Sequence, residues 1–173
     1  RHVFEETRGE VSECHLMTSY RSTPAITELF AKLAITADGM QISSVQRADT
    51  EPEFHECATE SEYIQNLVQA ARESKELKGT TAFVALNTEA ATRTAQLLGD
   101  DSPALIGEGD TLPNSGSILL ALPLAKGLEF DHVVIVNASK EDFPDNDLSR
   151  RRLYTAISRA TSTVSVFSNG ELS

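Results

Sequence analysis

Two hydrophobic periods alternate along this chain. Continuous apolar runs occupy Thr81 to Leu86, Ser117 to Leu122 and His132 to Val136. Runs of that kind read as strands buried on both faces of a parallel sheet. Between them apolar residues recur every third or fourth position, as a helix with one buried stripe requires. Ile26, Leu29, Phe30 and Leu33 form one such stripe, and Ile64, Leu67, Val68 and Ala71 a second. Ala91, Ala95 and Leu98 form a third, and Leu153, Ile157 and Ala160 a fourth.

Start and stop signals bracket these helices. Thr23 caps the first, with Pro24 at its first helical position. Thr59 with Glu62 makes a capping box for the second, and Gly79 marks its end. Asn87 or Thr88 caps the third, which stops at Gly99. Asp147 caps the fourth, expected from Leu148 to about Ala160, and Arg152, Thr155 and Arg159 share its second face.

Weaker strand patterns lie at Val11 to Met17, Ile42 to Val45, Glu53 to Ala58 and Ala104 to Ile106. Thr163 to Phe167 alternates in the manner of a more exposed strand and is expected to close the sheet. Residues 38–52 and 107–116 read as connections, and the acidic run Glu141 to Asp147 as a surface loop. Strands alternating with helices predict a largely parallel, three-layer α/β domain.

The length of 173 residues suits one domain with a full core. No apolar run reaches membrane-spanning length and no signal peptide opens the chain, so the expected setting is the cytoplasm, without membrane contact. Cys14 and Cys57 are the only cysteines, lack metal-ligand spacing, and are expected to be buried free thiols. The chain opens on Arg1 rather than Met, and is expected to be a piece of a longer protein. The net charge of −11 argues against a domain that grips nucleic acid unaided, although another domain can supply cations to a shared groove.

Three islands carry candidate chemistry: Tyr20-Arg21-Ser22, Lys126-Gly127-Leu128-Glu129, and Arg152 through Arg159. Guanidinium forks match phosphate oxygens, so Arg21 and Arg159 are candidate phosphate ligands. Tyr20 offers a flat ring on which a base can stack. Gly127 permits a tight turn between the opposite charges of Lys126 and Glu129. Taken singly, each is equally an ordinary surface or packing feature.

Together the islands resemble the motifs of superfamily 1 helicases of the UvrD/Rep type. Ser19-Tyr20-Arg21-Ser22-Thr23 resembles motif IV, Ala125-Lys126-Gly127-Leu128-Glu129-Phe130 motif V, and Arg152 through Ala160 motif VI. Their order agrees, and the likeness spans nearly the whole chain. The Ser-Tyr-Arg-Ser form and Glu51-Pro52 are most similar to the helicase IV and HelD branch. The resemblance implies a RecA-like fold, with residues 1–173 forming the second, C-terminal motor domain. It implies ATP in a cleft shared with an N-terminal RecA-like domain of the same protein. In that site Tyr20 would stack on adenine, Arg21 and Arg159 would reach the γ-phosphate, and Glu129 would hold a ribose hydroxyl. Gly127 would make the motif V turn.

No Gly-x-x-x-x-Gly-Lys-Ser/Thr occurs, and no Asp-Glu pair follows an apolar strand where it could hold Mg²⁺. The P-loop and the Mg²⁺ ligands are therefore expected on the N-terminal domain, and the chain alone is expected not to hydrolyse ATP. Motif V also departs from the family, with Ala121 and Pro123 where Thr and His usually approach the nucleic-acid backbone. Two functions follow as expectations. One is a motor of an ATP-dependent DNA helicase or translocase on single-stranded DNA. The other is a HelD-like ATPase that binds and remodels RNA polymerase. With the Arg150-Arg151-Arg152 cluster expected at a domain interface or in solvent, the chain alone should hold single-stranded DNA weakly.

Overall fold

A computed structural model of the chain describes residues 18–19, 43–44 and 52–171. The expected strand over 11–17, the helix beginning at Pro24, Cys14, Tyr20 and Arg21 lie outside those residues. Two short strands, β1 (Thr18–Ser19) and β2 (Ser43–Ser44), pair in parallel. The second falls within the weak pattern at Ile42 to Val45.

From residue 52 onward the chain builds one six-stranded sheet. Its elements are β3 (Glu53–Cys57), α1 (Glu60–Glu73), β4 (Thr80–Ala85), α2 (Thr88–Leu98), β5 (Ala104–Ile106), β6 (Gly116–Ala121), β7 (Phe130–Ile135), α3 (Asp147–Ile157) and β8 (Ala160–Asn169). The strand order is β3-β8-β7-β4-β6-β5, and every pairing is parallel. All strand C-termini therefore lie at one edge of the sheet and all N-termini at the other.

The continuous apolar runs take the middle of the sheet because both of their faces are covered. Along β7 and its continuation, Val133 and Ile135 face one layer while Val134 and Val136 face the other. The first layer is closed by Leu153, Ala156 and Ile157 of α3 together with Phe143. The second is closed by Tyr63, Leu67 and Ala71 of α1 and by Ala90, Ala91 and Leu98 of α2. This is the three-layer α/β sandwich that the sequence pattern predicts, with the parallel sheet of a RecA-like domain.

Local signals are met with small shifts. Thr59 Oγ1 accepts the Glu62 N–H at 3.2 Å, and Glu62 reaches back to the N–H of Ala58 at 3.0 Å. Of the two candidate caps for α2, Asn87 is the one used, its Oδ1 accepting the Ala90 N–H at 2.8 Å. Helix α3 is capped by Asn146, whose Oδ1 accepts the Ser149 N–H at 2.9 Å; the cap thus stands one residue before Asp147.

Three expectations need correction. Helix α1 ends at Glu73, capped by Ser74, so Gly79 does not stop it. Gly79 instead turns the chain into β4 with φ +90°, where a Cβ would meet Asp131 Oδ2 at 2.2 Å. That carboxylate accepts the N–H of Thr80 at 2.8 Å and so ties the start of β4 to β7. Helix α3 ends at Ile157, and Ala160 begins a strand. Finally, β8 does not close the sheet: β3 pairs along its outer side, so β8 is internal. β3 was patterned weakly because an edge strand buries little, and its Phe54 is 52% exposed.

Cys57 is buried as a free thiol. Among the described residues no helix is long and apolar enough to cross a membrane.

Candidate functional site

The crossover from β6 to β7 organises the candidate site. β6 and β7 flank β4 and run parallel, so residues 122–129 must carry the chain from the C-terminal edge of the sheet back to the N-terminal edge. They do so without an α-helix. Leu122–Ala125 form a single 3₁₀ turn, started by Pro123, whose buried Leu122 and Ala125 pack on the α3 face of the sheet. Gly127 then turns the chain at φ +83°, a conformation that L side chains disfavour. A Cβ there would meet nothing within 4 Å, so only the backbone requires glycine. Gly127→Ala is expected to cost about 1–2 kcal/mol, seen as a lowered Tm by thermal denaturation. An unchanged Tm would mean that the turn relaxes freely.

Past Gly127 the crossover meets Arg159, which follows α3 at the same N-terminal edge. Arg159 Nη1 donates to the carbonyl of Leu128 at 3.3 Å, and the Phe130 N–H donates to the carbonyl of Arg159 at 2.9 Å. Exposed Glu129 lies between the two residues that Arg159 holds. The half-buried guanidinium is secured on its inner side as well. Its Nε donates to the Thr155 carbonyl at 3.2 Å and to Ser158 Oγ at 3.3 Å, and Nη2 donates to Ser158 Oγ at 2.9 Å. A guanidinium carries five N–H donors. The contacts to described residues use one N–H on each terminal nitrogen, and each of those nitrogens carries a second donor of the type that suits a phosphate. Glu129, in the same loop, carries a carboxylate, the acceptor type that suits a sugar hydroxyl pair.

Of the five residues singled out in the sequence, the structure thus brings Gly127, Glu129 and Arg159 to one edge, while Tyr20 and Arg21 lie outside the described residues. Arg152, Thr155 and Arg159 do not share one face. Arg159 follows the helix and turns toward Leu128 while bonding the Thr155 carbonyl, whereas Arg152 lines a hollow that Thr155 also borders.

That hollow, about 370 Å³, opens between the ends of β4 and β6 and the side of α3. Leu86, Leu122 and Pro123 line it with apolar surface, and Lys126, Arg151 and Arg152 bring three cations to it. Arg150 instead pairs with Asp145 at 2.6 Å. No ion pair joins Lys126, Arg151 or Arg152 to a described acidic residue. The sequence showed the arginine cluster but not its convergence with Lys126, which depends on where the crossover packs.

A second hollow, about 190 Å³, lies on the α1/α2 side of the C-terminal edge between Arg93, Asn137, Glu141 and Asp142. Several of its polar groups bond within the wall. Asn137 Nδ2 donates to Asp142 at 2.7 Å, and its Oδ1 accepts the Asn169 N–H at 3.0 Å. Tyr63 donates to the Val136 carbonyl at 2.7 Å, and burial pushes its hydroxyl well above the usual tyrosine range, aided by the charge of Asp142. Among the described residues no group of three or more His, Cys, Asp or Glu is placed to hold a metal ion.

Residues 123–167, which span the crossover, β7, α3 and most of β8, match the family model of the UvrD-like helicase C-terminal domain. In structure the chain is similar to the C-terminal domain of a possible DNA helicase from Lactobacillus plantarum WCFS1. The TM-score is 0.73 and the identity 26%, over 90% of each chain. A more distant likeness joins it to the C-terminal domain of the DEAD-box protein Dbp5, with TM-score 0.48 and 13% identity over 67% of this chain and 74% of that one. No curated protein matches the chain significantly.

Proposed function

We propose that this chain, a UvrD-type helicase C-terminal domain, is the second motor domain of an ATP-dependent DNA helicase or translocase. In this reading it completes an ATP site whose P-loop and Mg²⁺ ligands stand on an N-terminal RecA-like domain of the same protein. The observation that carries the reading is the coupling of motif V to motif VI: Arg159 bonds the residues on either side of Glu129. A half-buried guanidinium bonded to the loop that carries an exposed carboxylate suits the transferred phosphate and the ribose of one nucleotide. Tyr20 and Arg21 belong to the same proposal through their motif alone.

The opposite edge supports DNA as the track. Ala121 is buried and has no side-chain donor, and Pro123 lacks even a backbone N–H, so the usual motif V contacts to the nucleic-acid backbone are chemically unavailable. Lys126, Arg151 and Arg152, around the same hollow as Pro123, supply replacement charge. The alternative, a HelD-like ATPase that remodels RNA polymerase, rests on Ala121, Pro123 and the net charge of −11. The convergence of three cations favours nucleic acid over it.

The test is a titration of labelled single-stranded oligonucleotide against the full-length protein and its Arg151→Ala/Arg152→Ala variant over a range of salt. If each arginine neutralises one phosphate, the variant's slope of log affinity against log salt should flatten by about 1.4. Its affinity should fall by about tenfold or more at low salt. Unchanged affinity and slope would remove the hollow from the DNA path and return weight to the polymerase alternative.

A further inference from the structure

Resting on the reading of Arg159 as a γ-phosphate ligand, we propose that Ser158 is a positioning residue that sets the direction of the Arg159 fork. The Ser158 hydroxyl donates to the carbonyl of Thr155 at 2.8 Å, which fixes its rotor. With its proton committed there, Oγ presents lone pairs to Arg159 and accepts from both Nε and Nη2, at 3.3 and 2.9 Å. Two contacts from one oxygen hold the Nε/Nη2 edge of the guanidinium. The carbonyl of Leu128 holds the opposite corner, Nη1, at 3.3 Å.

Both backbone carbonyls belong to elements that are themselves packed. Thr155 stands on α3 between buried Leu153 and Ala156, and Leu128 packs partly buried against the same core. Among the described residues Ser158 is the one side chain that hydrogen-bonds the guanidinium. The backbone acceptors locate Arg159, and the hydroxyl selects its orientation. An arginine chain has several rotatable bonds, so without that hydroxyl the Nη2 side of the fork would be held only through Nε and Nη1 and would sample more directions, and only the aligned fraction would serve a transition state.

Ser158 occupies the C-cap of α3 at φ −64° and ψ −6°, a conformation open to Ala and Thr alike, so both variants should fold. Only Thr retains the hydroxyl. In the full-length protein Ser158→Ala should lower kcat for ATP by about tenfold with KM for ATP little changed, because orientation matters most in the transition state. Ser158→Thr should restore most of the rate. A second readout needs no turnover: in the ¹⁵N-labelled 173-residue chain, the Arg159 Nε–H resonance should be shifted and rigid in the natural protein and in Ser158→Thr, and averaged in Ser158→Ala.

Arg159→Ala run in parallel separates the two claims. If Arg159→Ala abolishes turnover while Ser158→Ala keeps the full rate and an ordered Nε–H, the positioning role is overturned and the arginine reading stands. If Arg159→Ala itself keeps near-normal turnover, the arginine reading fails first. Loss of rate in Ser158→Ala that Ser158→Thr does not rescue would also overturn the proposal.

Discussion

Replacing Arg159 by Ala in the full-length protein is expected to cut ATP turnover by about 10³-fold or more, within the range of about 10³–10⁵ associated with an arginine finger. Apparent affinity for ATP should change far less. Positive charge is worth most when negative charge is moving onto the transferred phosphoryl oxygens, so its loss falls on kcat rather than on ground-state binding. Arg159→Lys should not rescue. A lysine is a single point charge on a flexible stem and cannot hold the Leu128 carbonyl, Ser158 and a phosphate together. The confounding effect is structural, because Arg159 also ties α3 to the crossover through Leu128 and Phe130. The half-exposed side chain limits that cost, and the bond from the Phe130 N–H uses the backbone carbonyl, which Ala retains. Steady-state kcat and KM measured beside a melting curve will separate the two contributions. A near-normal kcat with a lowered Tm would make Arg159 a brace and nothing more.

The largest effect on stability is expected from Phe83→Ala. Phe83 stands in β4, the fourth of six strands, and is 0% exposed. Its ring belongs to the layer built with Leu67 of α1, Leu98 of α2, Leu119 of β6 and Val134 of β7. Strands flank it on both sides and two helices cover it, so little can move in to fill the space. Truncation at such a site costs about 3–5 kcal/mol, against a total of about 5–15 kcal/mol for a typical domain. Urea denaturation should show a large fall in midpoint with an unchanged slope. Phe54→Ala is the matched control: the same ring at 52% exposure on edge strand β3 should cost much less. Equal losses for the two would contradict the layered packing described above.

These two residues illustrate different kinds of legibility. Phe83 was readable because burial writes itself into sequence. A strand covered on both faces must be apolar at successive positions, and Thr81 to Leu86, Ser117 to Leu122 and His132 to Val136 are. The capping pairs Thr59–Glu62 and Asn87–Ala90 were readable for the same reason, since their partners lie within one helical turn. Arg159, Gly127 and Glu129 stood out only as members of ordered motifs, because nothing local distinguishes an arginine that meets a ligand from a solvated one.

By itself, then, the sequence determined the layered parallel α/β architecture, the central strands and, to within a residue, the starts of the three described helices. These rest on short-range geometry and on the period of apolar positions. Tertiary structure alone decided the rest. It placed weakly apolar β3 outside β8, and it made Gly79 a turn against Asp131 rather than a helix stop. It turned Arg152 of one motif toward a hollow at the ends of β4 and β6 and Arg159 toward Leu128. It also brought Leu128 and Arg159, separated by 31 positions, within hydrogen-bond distance. The physical reason is common to all four. Each depends on which strand lies beside which and on how an eight-residue crossover spans the sheet, and long-range pairing leaves no periodic trace in the residues that it joins.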